Sequence, residues 1–361
     1  MSPNTIHQDF HLNGTSFTKE VLKDAAYGFI KEGEPHERAI GDFLCDWLDG
    51  SPTLEVQTSG STGTPKRIVL QKRQMMNSAL ATGEFFDLRP GNSALLCLST
   101  DYIAGKMMLV RAMVLGLHLD TTEPVSNPLN GNDKEYDFGA MVPMQLQNSI
   151  QQIGQIKTLL VGGAPLSLSV KQELKNAASH VFETYGMTET VTHVAVKEIW
   201  TKLNPVKVSE TFKALPKVMF ATDTRNCLLI NAPKVSNEQI ITNDVVELIS
   251  QTEFKWLGRY DNVINSGGVK LFPEQIEEKL AGIIDEPFFV AGIPDEKFGQ
   301  RLTLIIEGKI NSNAVLERIN NFTSLRKYEI PKKVFGLEEF VYTASDKINR
   351  NLTLQKLNSL D

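Results

Sequence analysis

No stretch of this 361-residue sequence runs for about 18 apolar residues, so a membrane-spanning helix is not expected. The opening MSPNTIHQDFHLNG lacks the basic and apolar regions of a secretory leader, which leaves the cytoplasm as the expected compartment. Cysteine is scarce: Cys45, Cys97 and Cys227 are odd in number, far apart and without a CxxC spacing. That pattern argues against a disulfide framework or a zinc site and suits inert thiols in a reducing compartment. Basic clusters are missing as well. The formal charge is -6, and the 37 Lys and Arg are scattered among 43 Asp and Glu, so no face for nucleic acid is expected. Internal repeats, low-complexity tracts and long linkers are also absent.

What is present is ordinary in amount and informative in order. At 41% hydrophobic residues the chain can bury a real core, and its length allows two or three domains. Apolar runs such as SALLCL at 93–98 and TLLV at 158–161, separated by helical or loop stretches, read as strands of a largely buried sheet in an α/β pattern. Over 269–284, Pro273 marks a helix start, and Ile276, Leu280, Ile283 and Ile284 fall on one helical face. Strands at 287–292 and 302–306 follow it, which predicts a small α+β unit beside a larger N-terminal body. With GRYD at 258–261 as the boundary, the domains are 1–260 and 261–361.

The strongest local signal is TSGSTGTPK at 58–66, in which Thr58, Ser59, Gly60, Ser61, Thr62, Gly63 and Thr64 precede Pro65 and Lys66. Small residues let backbone N–H groups approach an anion, hydroxyls add donors, and a lysine adds a point charge, so polyphosphate is one expected ligand. A flexible surface loop has the same composition, and both readings stand at this point. A Walker A loop fits poorly, because Pro65 precedes the lysine and Arg67 follows it where Ser or Thr is needed.

The loop resembles the signature of the adenylate-forming superfamily of acyl-CoA ligases, luciferases and peptide-synthetase adenylation domains. Four further stretches appear in that family's order: GGAP at 162–165, YGMTET at 185–190, LGRYDNVINSGG at 257–268 with its extension to Glu277, and TASDKINR at 343–350. The resemblance covers roughly residues 55–350. It implies a large N-terminal domain for ATP and acid, with a mobile α+β C-terminal domain from about Asp261. ATP, Mg²⁺ and coenzyme A would be the cofactor and cosubstrates of an acyl-AMP reaction that releases pyrophosphate.

By the same resemblance, Tyr185 stacks on adenine, Gly163 and Ala164 line the base pocket beside Gly186, and Thr188 and Glu189 serve the α-phosphate and Mg²⁺. An aromatic face suits a purine and a carboxylate suits a hard cation. Asp244 and Arg259 match the pair that holds the ribose hydroxyls, and a carboxylate can accept from both. Asp261 matches the hinge. Gly267 and Gly268 match the loop beside the thiol in the second half-reaction. Lys347 matches the adenylation lysine, the cation that activating an anionic carboxylate against a polyanion requires.

Four positions depart from the family pattern: Arg67 and Asn243 where glycine is usual, Asn265 for lysine, and Asp346 for glycine beside Lys347. The phosphate loop also begins close to the N-terminus, which implies an abbreviated N-terminal subdomain and a minimal acid pocket, or an oligomer that completes it. The short chain and the segment STDYIAGKMM at 99–108 resemble bacterial o-succinylbenzoate CoA ligases of menaquinone synthesis. Tyr102 would line the acyl tunnel, and Lys106, Arg111 and His193 are candidates to anchor that acid's second carboxylate. Another aryl or acyl CoA ligase, a carrier-protein ligase and an inactive nucleotide-binding protein are the alternatives. Against the last stands the complete ionic set Lys66, Glu189, Asp244, Arg259 and Lys347.

Overall fold

The computed structural model describes residues 6–57, 67–199, 201–203, 210–343 and 348–358. A mixed sheet of thirteen strands dominates them. Its middle is parallel, with His118–Thr121, Ser93–Leu96, Tyr136–Met141, Ile156–Val161 and His180–Gly186 side by side in that order. The apolar runs at 93–98 and 158–161 fall on two of these strands, the first run outlasting its strand by two residues. Leu95, Leu96, Leu159, Leu160 and Val161 are buried because helices cover a parallel sheet, as continuous rather than alternating hydrophobicity anticipates.

Beyond His180–Gly186 the neighbours are antiparallel: His193–Glu198, Phe212–Ala214, Glu253–Arg259, Ile240–Ser250, Cys227–Asn231 and Met219–Thr222. The C-terminal end of His180–Gly186, which carries the YGMTET motif, is therefore where the sheet changes from parallel to antiparallel. Openings at the carboxyl ends of strands, next to such changes, are favoured binding positions in α/β folds.

The helix Ile103–Leu115 is apolar nearly all round, and residues 107–114 are all buried. A helix of that composition belongs inside the molecule rather than on it. Gly105 lets it dock: a Cβ there would stand 2.3 Å from the Ser99 carbonyl oxygen. Arg111, in the last turn but one, is carried into the core with it.

From Ile264 onward the chain builds a second sheet of five strands, Ile264–Ser266, Val269–Leu271, Phe288–Asp295, Gly299–Glu307 and Lys333–Leu337. Its hydrophobic interior, with Ile264, Leu271, Ile276, Leu280 and Leu304, is drawn from these later residues alone. The helix Pro273–Leu280 has proline in its first turn, as read from the sequence, but stops earlier than the apolar spacing implied. The N–H groups of Ile283 and Ile284 both donate to the Leu280 carbonyl, at 2.9 and 3.0 Å, so the chain turns at Ala281 and Gly282. Ile284 reaches the core from that turn, not from the helix. Among the described residues no helix is long and apolar enough to cross a membrane.

Candidate active site

Four side chains meet where the sheet turns antiparallel. Tyr185, near the end of its strand, donates its phenol hydrogen to Asp244 Oδ2 at 2.7 Å. Trp256 Nε1 donates to Asp244 Oδ1 at 3.2 Å, and Arg259 Nη1 lies 3.7 Å from the same oxygen. Register explains the meeting: Asp244 and Arg259 are direct partners across the antiparallel pair. Burial first, and then the Asp244 charge, hold the Tyr185 phenol well above its usual value, so it remains a donor. Asp244 is buried and still has lone pairs on both oxygens, which leaves acceptor capacity for a diol. Phe254 packs edge-on against Tyr185 at 5.1 Å and fixes the ring.

Gly163 follows the strand Ile156–Val161 with φ +93°, and a Cβ there would find nothing closer than 3.8 Å, so conformation rather than crowding asks for glycine. Ala164 and Glu189 are exposed, and Thr188 is half-buried. Between Glu189 and His193 the backbone is strained. Val191 is buried at φ 65°, ψ −59°, and the Thr192 N–H donates back to the Thr190 carbonyl at 2.8 Å. This is a γ-turn of the rare hand on a β-branched residue, a conformation costing about 1–3 kcal/mol. The Thr190 hydroxyl braces it, accepting from the Met187 N–H at 2.9 Å and donating to the Thr192 carbonyl at 2.6 Å.

Gly186 has a packing reason as well as a motif one. It pairs with His193, and a Cβ there would stand 2.4 Å from Thr192 O and 2.5 Å from His193 Cα. Gly186→Ala is expected to push the two strands apart at a destabilisation of about 1–3 kcal/mol. Urea unfolding measures that loss, and an unchanged midpoint would show that the strands yield without cost.

Against the start of the adjacent strand His193–Glu198, Arg111 of the helix Ile103–Leu115 is 2% exposed and surrounded by neutral acceptors. Nε lies 3.4 Å from Thr82 Oγ1, Nη1 3.7 Å from Met108 Sδ, and Nη2 3.4 Å from Thr192 Oγ1 and 3.3 Å from His193 Nδ1. No carboxylate pairs with it among the described residues. Burial lowers its pKa to about 10, so it keeps its charge at neutral pH. Because Arg111 donates to Nδ1, the imidazole proton belongs on Nε2, which faces Thr82 Oγ1 at 3.5 Å. Thr82 in turn donates to the Ser78 carbonyl at 3.0 Å. A cavity of about 180 Å³ reaches His193 from the side of the helix Lys72–Phe86.

Burial, and then Arg111, hold the His193 imidazole well below its ordinary 6.5. The unfolded chain therefore takes up a proton near pH 6.5 that the folded chain refuses, and stability falls as pH drops below that value. His193→Gln should make the acid-side loss shallower in urea titrations between about pH 7.5 and 5. An unchanged slope would show that the ring takes its proton without unfolding.

Other expected residues are placed differently. Tyr102 is 55% exposed at the N-cap of the helix Ile103–Leu115. Lys106 is not brought to Arg111 and His193: its ammonium lies over the Phe43 ring at 5.3 Å. Five residues apart on a helix means about 140° around its axis, so the two cations face different ways. Burial lowers the Lys106 pKa against the opposing charges of Asp101, Asp46 and Asp42. Asp261 is exposed in the turn Tyr260–Asn262 and accepts from Asn243 Nδ2 at 3.4 Å. The asparagine that departs from the family glycine thus touches Asp261. Gly267 and Gly268, at φ 58° and 82°, form the two-residue turn between paired Ser266 and Val269, which itself requires left-handed backbone. The segments 58–66 and 344–347, with Lys66 and Lys347, lie outside the described residues; the strands Thr53–Gln57 and Arg67–Gln71 that flank the first pair Gln57 with Arg67.

Residues 56–219 match the family described as AMP-binding enzyme. The chain is similar to the acyl-CoA synthetase (AMP-forming)/AMP-acid ligase II-like protein from Dyadobacter fermentans, with 40% identity, 93% of this chain and 98% of that one covered, and a TM-score of 0.61. The 2-succinylbenzoate–CoA ligase of Listeria innocua is 25% identical over 378 residues, 95% of this chain and 79% of its own. The o-succinylbenzoate coenzyme A synthetase from Bacillus subtilis, in complex with ATP and magnesium, shares the fold at 21% identity and a TM-score of 0.70, with 83% of this chain and 69% of that one covered.

Proposed function

The chain belongs to the AMP-binding enzyme family, the AMP-forming acid–thiol ligases, and from that membership we propose that it activates 2-succinylbenzoate and passes the acyl group to coenzyme A. The single observation that carries the acid is Arg111. A guanidinium buried without a counter-charge is costly, and the cost is recovered when an anion arrives. The second, unreacting carboxylate of a dicarboxylic acid is such an anion. Neutral His193 and the Thr192 hydroxyl would orient it beside the strand that bears the nucleotide motif.

In the first half-reaction the acid's other carboxylate attacks the α-phosphorus of ATP and pyrophosphate leaves. Asp244 and Arg259 would hold the ribose, Tyr185, Gly163 and Ala164 the base, and the segment 58–66 with Lys66 the outer phosphates. Mg²⁺ neutralises phosphate charge when bound. Exposed Glu189 is a fitting oxygen donor for it, because that ion keeps several waters and needs few carboxylates. Thr188 would face the α-phosphate, and Lys347 would offset the charge that accumulates there. In the second half-reaction the thiol of coenzyme A attacks the acyl carbonyl and AMP leaves. Rotation of the C-terminal unit about Asp261 would exchange Lys347 for the Gly267–Gly268 turn, whose glycines present no side chains of their own to a pantetheine arm.

The test is acid selectivity with MgATP and coenzyme A. Turnover of 2-succinylbenzoate should exceed that of benzoate and hexanoate by a factor on the order of 10² or more, the weight of a buried charge contact. Comparable turnover of the monocarboxylates would remove the assignment of the acid and leave the ligase chemistry in place.

A further inference from the structure

Lys171 stands between two carboxylates from different parts of the molecule. It lies on the short helix Leu168–Glu173, just after the GGAP turn. Its ammonium is 2.8 Å from Glu278 Oε1, on the helix Pro273–Leu280, and 3.8 Å from Glu183 Oε1, inside the large sheet. Glu183 is 5% exposed and firmly held. Lys197 Nζ lies 2.5 Å from its Oε2, and the Leu166 N–H donates to its Oε1 at 2.8 Å. Leu166 directly follows Pro165, so the carboxylate that grips the end of the GGAP turn is the one on which Lys171 rests.

Burial works to lower the Lys171 pKa, but Glu183 and Glu278 together raise it, so the ammonium is charged at any working pH. Glu183 retains Lys197 and the Leu166 N–H whether or not Glu278 is near. Glu278 belongs to the later sheet's hydrophobic unit, beyond Asp261. A rotation of that unit would break the ion pair between Lys171 and Glu278 and leave the other three partners together.

We propose that Lys171 is a positioning residue for the two-step reaction. It holds the C-terminal unit in one of its two working orientations and relays that orientation, through Glu183 and Leu166, to the turn that lines the base pocket. The proposal rests on the two-orientation reading given above. A simple exposed ion pair would have no preference between half-reactions and little energetic weight. A latch has a sign: releasing it must slow the step performed in the latched orientation and speed the other.

The experiment measures the half-reactions apart, pyrophosphate release without coenzyme A and thioester formation from supplied acyl-AMP. In Glu278→Gln, an exposed and nearly isosteric change, the two rates should move in opposite directions by roughly two- to five-fold, the range expected of a partly screened ion pair. High salt should produce the same shift in the unaltered chain and little further shift in the variant. Lys171→Met should add a higher KM for ATP, because the support behind the GGAP turn is lost. Equal changes in both half-reactions, or none, in Glu278→Gln would overturn the proposal. If the unaltered chain forms no acyl-AMP, the reaction reading beneath it falls instead.

Discussion

Lys347→Ala should lower acyl-AMP formation by a factor on the order of 10² to 10³, the typical loss when one stabiliser of developing charge is removed. Thioester formation from preformed acyl-AMP should stay within a few-fold. The asymmetry follows from charge: in the first step two anions meet and pyrophosphate leaves as a third, whereas in the second a thiol attacks an already activated carbonyl. Both flanks of the lysine segment are tied to the C-terminal unit, one to its sheet and one to the helix Pro273–Leu280. Tyr342 Oη donates to Glu307 Oε2 at 2.7 Å, and Arg350 Nη2 donates to half-buried Glu277 Oε2 at 2.6 Å. The residues that flank the segment 344–347 thus belong to that unit. Single-turnover assays of each half-reaction check the asymmetry, and equal loss of both would remove the role. Lys347→Arg keeps the charge and should recover part of the first step, which distinguishes a missing cation from a damaged segment.

Arg111→Met should separate function from stability. Turnover of 2-succinylbenzoate is expected to fall by a factor on the order of 10² to 10³, as when one partner of a buried charged contact is truncated. Folding stability should hold or rise, because an unpaired buried charge gives way to an apolar side chain of similar length. The surroundings suit the change, with Met107, Met108 and Met113 already packed in the same helix. Benzoate, which has no second carboxylate, should be turned over no worse than before. Steady-state kinetics with both acids and a urea melt read all three quantities. A stability loss accompanied by equal damage to both acids would make Arg111 a structural residue.

The architecture was legible where hydrophobic runs are continuous or motifs are dense. TLLV at 158–161 lies in a central parallel strand because strands covered on both faces must be apolar throughout. The order of the five motifs carried the family, and with it the meeting of Tyr185, Asp244 and Arg259. Trp256 was not legible, because its contact with Asp244 comes from strand register and bulges that no local pattern encodes. The end of the helix at Leu280 was missed for a related reason: the apolar spacing continues, but the backbone turns at Ala281 and Gly282. Arg111 and Lys106 looked alike as cations near one motif. Only their placement around the helix separates a buried guanidinium, without a carboxylate among the described residues, from an ammonium lying over Phe43. The strained turn at Val191 left no trace in the sequence, since a β-branched residue is the last that composition would assign to left-handed backbone.

The most direct test is to identify the nucleotide and acyl products by mass spectrometry after incubating the chain with MgATP and 2-succinylbenzoate, first without and then with coenzyme A. The account predicts pyrophosphate and enzyme-held acyl-AMP in the first case, and AMP with 2-succinylbenzoyl-CoA in the second. Formation of ADP, or ATP left intact in both, would contradict it.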